Sequence, residues 1–130
     1  MWQSKLATEI CLSTTEAKYV LLSMALHETI SMMQLLIKAR DQGIKGLTLL
    51  PNVMCKAFED NSGALEMARM PKMRPCTKHI NCKYHHFREF VTRRLIILFA
   101  VRTEDQQADM FTKSLGYDLF VKFRKSVMGW

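Results

Sequence analysis

Uneven alternation of apolar and polar residues in "KLATEICL" (Lys5 to Leu12) predicts a short strand at the start of the chain. The pattern changes at "STTE" (Ser13 to Glu16). Ser followed three residues later by Glu is a capping box, in which each side chain satisfies a backbone N–H at a helix start. Beyond it, Leu22, Ala25, Leu26, Met33 and Leu36 recur at helical spacing. They predict a long helix to about Arg40 with that stripe buried, ended by "DQGIKG" (Asp41 to Gly46).

After Pro51, "NVMCKAFE" (Asn52 to Glu59) reads as a strand and Asn61 to about Met70 as a short helix. "MPKMRP" (Met70 to Pro75) is a loop, because two prolines cannot sit inside a helix. Thr77 to about Arg93 reads as a second long helix, basic on its outer face. "LIILFAV" (Leu95 to Val101) is the clearest buried strand. "TEDQ" (Thr103 to Gln106) is another capping box, and it opens a helix through Asp109 to Lys113. Gly116 breaks that helix, and Tyr117 to Met128 closes the chain as an amphipathic helix. Strands alternating with helices indicate an α/β fold. Val53 to Glu59 and Leu95 to Val101 are expected to pair in parallel, since a helix-filled connection is what parallel pairing requires.

At 130 residues the chain suits one domain, 1–130, with a single core. No unbroken apolar run approaches the ~18 residues of a membrane span. The start, "MWQSKLATEI", lacks the basic-then-apolar order of a signal peptide. An intracellular chain, cytoplasmic or nuclear, with no membrane partner is therefore expected.

Charge changes the picture more than size. The net charge is +7, and the segment Arg69 to Arg94 carries all of the excess. Arg69, Lys72, Arg74, Lys78, Lys83, Arg88, Arg93 and Arg94 lie there against the single acid Glu89, with three of the four histidines. A local basic patch points to a polyanion, most simply nucleic acid phosphates. The alternative is a solvated helix face.

Cys11, Cys55, Cys76 and Cys82 form no secreted disulfide framework and read as reduced thiols. In "CTKHINCKYHH", Cys76, His79, Cys82 and His85 recur every three residues. On a helix that spacing turns about −60° per step and spreads the four over half the circumference. A closed zinc site needs convergent ligands, so the spacing argues against structural zinc.

Three acids occupy similar places. Glu16 opens the first helix, Asp60 follows a strand, and Asp109 lies in a late helix. Each has an ordinary reading: Glu16 completes its capping box, Asp60 caps the next helix, and Asp109 is a solvated helical acid.

Their surroundings carry more. "WQSK" (Trp2 to Lys5), "STTEAKY" (Ser13 to Tyr19), "EDN" (Glu59 to Asn61), "TKH" (Thr77 to His79) and "ADMFTK" (Ala108 to Lys113) occur in that order. The series resembles the ribonuclease H domain that ends copia-type retrotransposon polyproteins, over nearly the whole chain. The resemblance implies a ribonuclease H-like mixed sheet with flanking helices, and cleavage of the RNA strand of RNA–DNA hybrids. It implies two Mg2+ ions held by clustered carboxylates, with Glu16, Asp60 and Asp109 as three of the ligands and catalytic acids. Lys78, His79, Lys83 and Arg88 would then contact nucleic acid.

The chain also departs from that family. It starts after the hairpin whose first strand carries a further metal-binding Asp, and Lys18 stands where the family often has an acid. The implied partner is thus the upstream reverse transcriptase and ribonuclease H segment, without which little metal binding and no cleavage are expected. The competing reading is a non-catalytic remnant that grips hybrid or duplex without cutting it. An inert translated remnant is the third.

Overall fold

The computed structural model describes residues 11, 13–44, 46, 52–70 and 82–130, with only the backbone at Cys82 and Lys83. The expected strand Lys5 to Leu12, most of the loop Met70 to Pro75, and Lys78 and His79 lie outside the described residues. The chain divides into two compact units, Met1–Ala100 and Val101–Trp130.

In the first unit, α1 spans Thr14–Asp41. Ser13 caps it from an extended conformation, its Oγ accepting the backbone N–H of Glu16 at 3.2 Å. At the other end Gly43 takes φ +77°. Its N–H reaches Arg40 O at 2.9 Å while Ile44 N–H reaches Ala39 O at 3.3 Å, the paired bonds of a Schellman stop. The start and stop thus fall where the sequence puts them.

The buried face of α1 is Tyr19, Val20, Leu22, Ser23, Leu26, Ile30 and Met33. Leu22, Leu26 and Met33 match the expected stripe, whereas Ala25 and Leu36 are exposed. The reason is that Leu21, Met32 and Leu35 put apolar groups on the outer face as well. A helix apolar around most of its girth does not announce which side packs.

An 18-residue window of α1 has a mean hydropathy of 1.5, so by length and composition this 28-residue helix is apolar enough to cross a membrane. The sequence reading, that no unbroken apolar run approaches such a length, still holds. Polar residues such as His27 and Glu28 interrupt the run while leaving the average high. A core helix has the same composition, and α1 carries one side of this unit's core.

Strand β1 (Cys55–Glu59) pairs in parallel with β2 (Ile96–Ala100), in register from Cys55 opposite Ile96 to Glu59 opposite Ala100. Among the described residues the architecture is α/β, with a small parallel two-stranded sheet and helices. Between the strands run α2 (Ser62–Arg69), a 3-10 helix (Cys82–His85) and α3 (Arg88–Thr92). Ala64, Leu65 and Ala68 of α2, together with Tyr84, Phe87, Ile96 and Leu98, close the core against α1.

The expected long helix from Thr77 to Arg93 is not continuous over its described part. It passes from the 3-10 helix through a turn at His86 and Phe87 into α3, with Tyr84 and Phe87 both buried. Arg94 then ends α3 at φ +58°, with Arg94 N–H on Val91 O and Leu95 N–H on Phe90 O, both 3.0 Å. This is a second Schellman stop, made without glycine.

In the second unit the expected helix from Thr103 to Lys113 is two 3-10 helices, Thr103–Asp105 and Gln107–Phe111. The residue at the cap of the first is Arg102, and it makes no side-chain cap hydrogen bond. The capping box of "TEDQ" is therefore not formed. The last helix, α4 (Tyr117–Met128), keeps its expected bounds and ends at Gly129, φ +78°.

Candidate functional site

Two element ends meet in the first unit. A Cβ on Gly63, at the start of α2, would lie 2.8 Å from Thr15 Cγ2, so the missing side chain lets the first turn of α1 press against this corner. One turn further along α1, the Lys18 ammonium reaches the carboxylate of Asp60, just past the end of β1. The Asp60 side chain is 7% exposed and that of Lys18 40%.

Asp60 does not cap α2. That role falls to Asn61, whose Oδ1 accepts the Ala64 N–H at 2.8 Å from an extended backbone. The capping reading of Asp60 is thereby corrected: Asn61, one residue nearer the helix, has the reach to its third N–H. Glu59 ends β1 half-buried, and its Oε1 accepts the Asn61 N–H at 3.1 Å. Burial pushes the Glu59 carboxyl above its ordinary value, and the neighbouring Asp60 pushes the same way. The Asn61 N–H and the Lys18 charge oppose both.

Glu16 lies half-buried in the first turn of α1, between Thr15 and Lys18. Asp109 belongs to the second unit, where Lys113 Nζ donates to its Oδ2 at 2.8 Å. It is half-buried, so the reading as a fully solvated helical acid does not describe it. Among the described residues of either unit, no three Asp, Glu, His or Cys side chains gather closely enough to hold a metal ion. With a lysine ammonium already on Asp60, the donors present here do not fit two Mg2+ ions by themselves.

The basic segment is less uniform than its sequence. Arg88 turns inward: its Nη2 donates to Met67 O at 2.7 Å and its guanidinium lies 5.6 Å from the Tyr19 ring centre. Its Nε is buried with no hydrogen-bond partner. Arg69 donates to Leu98 O at 2.8 Å, and Arg93 pairs with Glu89 at 2.6 Å. Arg94 is exposed. The buried Tyr19 hydroxyl and His85 Nδ1 lie 2.6 Å apart, and burial raises the phenol's pKa against the opposing Arg88 charge.

Sequence reading missed both the Lys18–Asp60 pair and the Tyr19–His85–Arg88 cluster. A faint signal existed for the first in a lysine where an acid is usual. For the second, partners 66 and 69 positions apart left no local signal.

No family model matches the chain, and no solved structure matches it. It is similar to the retrovirus-related Pol polyprotein from transposon TNT 1-94 of Nicotiana tabacum, 31% identical over 112 residues, or 86% of the chain. Similar polyproteins from Arabidopsis thaliana come from transposon RE1, 32% identical over 127 residues, and transposon RE2, 31% identical over 126 residues. Each of those matches covers 97% of the chain. The chain spans about 8% of the length of each of these curated relatives. Its homologues are retrovirus-related Pol polyproteins of plant transposons, of the copia type.

Proposed function

We propose that the chain is the C-terminal part of the ribonuclease H region of such a Pol polyprotein. It grips an RNA–DNA hybrid through its basic segment and supplies Glu16, Asp60 and Asp109 to the cleavage of the RNA strand. In this reading the cutting belongs to the chain joined to its upstream segment, and among the described residues no three metal-donor side chains gather. The observation that carries the reading is the position of Asp60. It stands at the end of a parallel strand, relieved of capping by Asn61, beside the helix turn that bears Glu16. A strand end beside a helix start is where open α/β sheets present their ligand-binding groups.

The test joins the upstream segment of a related polyprotein to this chain and assays hybrid cleavage with magnesium. Cleavage is expected, Asp60→Asn should abolish it, and hybrid binding should persist. A joined protein that neither binds nor cuts hybrid would end the reading.

The Lys18–Asp60 pair favours one alternative, a non-catalytic nucleic-acid-binding remnant. Under that reading the joined protein binds hybrid with salt-dependent affinity and never cuts it.

A further inference from the structure

The two faces of the β1–β2 sheet differ. Ile96 and Leu98 are buried in the core with Cys55 and Ala57 packed against it, so one face is an inner wall. Side chains alternate along a strand, which puts Lys56 and Phe58 of β1, with Ile97 and Phe99 of β2, on the opposite face. Parallel sheets are ordinarily covered on both faces, yet Phe58 and Phe99 are 56% and 39% exposed. Neighbouring exposed rings on such a face point to an interaction surface.

The chemistry of the face selects the occupant. The two rings stack on each other with centroids 5.5 Å apart and planes 25° from parallel. No base slips between them, since that needs two stacking distances, roughly 7 Å. Each ring instead keeps a surface in solvent on which one base can stack, as unpaired bases do on aromatic side chains. A duplex hides those base faces, so the fit is to a single strand. Lys56 is exposed and lies two residues before Phe58, about 7 Å along the strand, within reach of a backbone phosphate. The face holds this cation and no acid, because alternation puts Glu59 on the other side. A second copy of the chain fits less well, since each copy carries a net +7.

We propose that the outer face of the β1–β2 sheet binds single-stranded nucleic acid, with bases stacked on Phe58 and Phe99 and a phosphate on Lys56. The surface is separate from the basic segment that joins the two strands. The inference does not depend on the ribonuclease reading.

Fluorescence anisotropy of a labelled oligothymidylate of about twelve nucleotides, titrated with the full chain, tests this. Phe58→Leu and Phe99→Leu keep the apolar bulk and lose the π-face, and each should weaken binding by about fivefold or more. Lys56→Ala should lower the salt slope by about 0.7, one phosphate's share on a single strand. Phe111, 55% exposed in the second unit, is the control, and Phe111→Leu should bind as the parent does. Binding of duplex DNA should be the same in the parent and both sheet variants. A parent that does not bind the oligonucleotide, sheet variants that bind it equally well, or an equal loss in Phe111→Leu or on duplex overturns the proposal. If a sheet variant unfolds, para-fluorophenylalanine in place of Phe58 or Phe99 gives a fluorine NMR signal in the folded chain. Stacking should shift that signal as oligonucleotide is added, and an unmoved signal at saturation overturns the proposal. A dimer in sedimentation that dissociates in Phe58→Leu would assign the face to a second copy instead. Loss of hybrid binding alone removes only the ribonuclease reading, and loss of oligothymidylate binding alone removes only this one.

Discussion

Phe58 of β1 and Phe99 of β2 are register partners, and their rings stack with centroids 5.5 Å apart and planes 25° from parallel. Both are exposed, at 56% and 39%. The pair therefore owes its worth to ring contact across the strands more than to burial. A double-mutant cycle of Phe58→Ala and Phe99→Ala, read by urea unfolding, should give a coupling of about 0.5–1 kcal/mol. Additive losses would mean that the two rings do not support each other.

Arg88 and Lys83 share a basic segment and should behave differently. The Arg88 guanidinium is spent on Met67 O and the Tyr19 ring, so Arg88→Met should destabilise the first unit by about 1.5–3 kcal/mol. It should leave the salt dependence of hybrid binding nearly unchanged. Lys78→Ala and Lys83→Ala should each lower the salt slope by about one and leave the urea midpoint in place. An Arg88 variant that flattens the slope without losing stability would reverse this division.

Arg94 sits at φ +58°, a left-handed conformation that favours glycine. Arg94→Gly should therefore stabilise the chain by about 1 kcal/mol, seen as a higher urea midpoint. A lower midpoint would mean that the arginine side chain holds the stop of α3 in some other way.

In the second unit Lys122 Nζ donates to Asp105 Oδ1 at 2.9 Å and, through that bond and its charge, lowers the Asp105 pKa below the ordinary 3.8. A depressed carboxyl adds stability above its unfolded pKa and loses it as pH falls through the folded value. The contribution should thus be present at neutral pH and vanish in acid below 3.8. Carbon-detected NMR titration should show Asp105 moving back toward 3.8 in Lys122→Met. An unmoved titration would assign the shift to another group.

What the sequence disclosed depended on the range of the signal. The Ser13 cap, the Gly43 stop and the bounds of α4 are written in neighbouring residues, and each was readable. The parallel pairing of β1 with β2 was readable too, because two short apolar runs joined through helices leave little other choice. The 3-10 turn at Cys82–His85 was not, because an apolar pair three apart such as Tyr84 and Phe87 shares a face in an α-helix as well. The site divides the same way. Asp60 stood out from local pattern and resemblance, whereas its partner Lys18, 42 positions earlier, lay among ordinary helical charges.

The parallel pairing of β1 and β2 also sets an order of events during synthesis. A hairpin can zip as soon as its second strand is made, but among the described residues the strand partner of Cys55 is Ile96, forty-one positions later. At about 5–20 residues per second, β1 waits roughly 2–8 s for this partner. Through that interval the core against α1 lacks Ile96 and Leu98, so the nascent chain shows apolar surface until those residues arrive. A stop anywhere before Ile96 does not trim the sheet. It removes the described sheet and leaves a long apolar helix without Ile96 and Leu98 in its core.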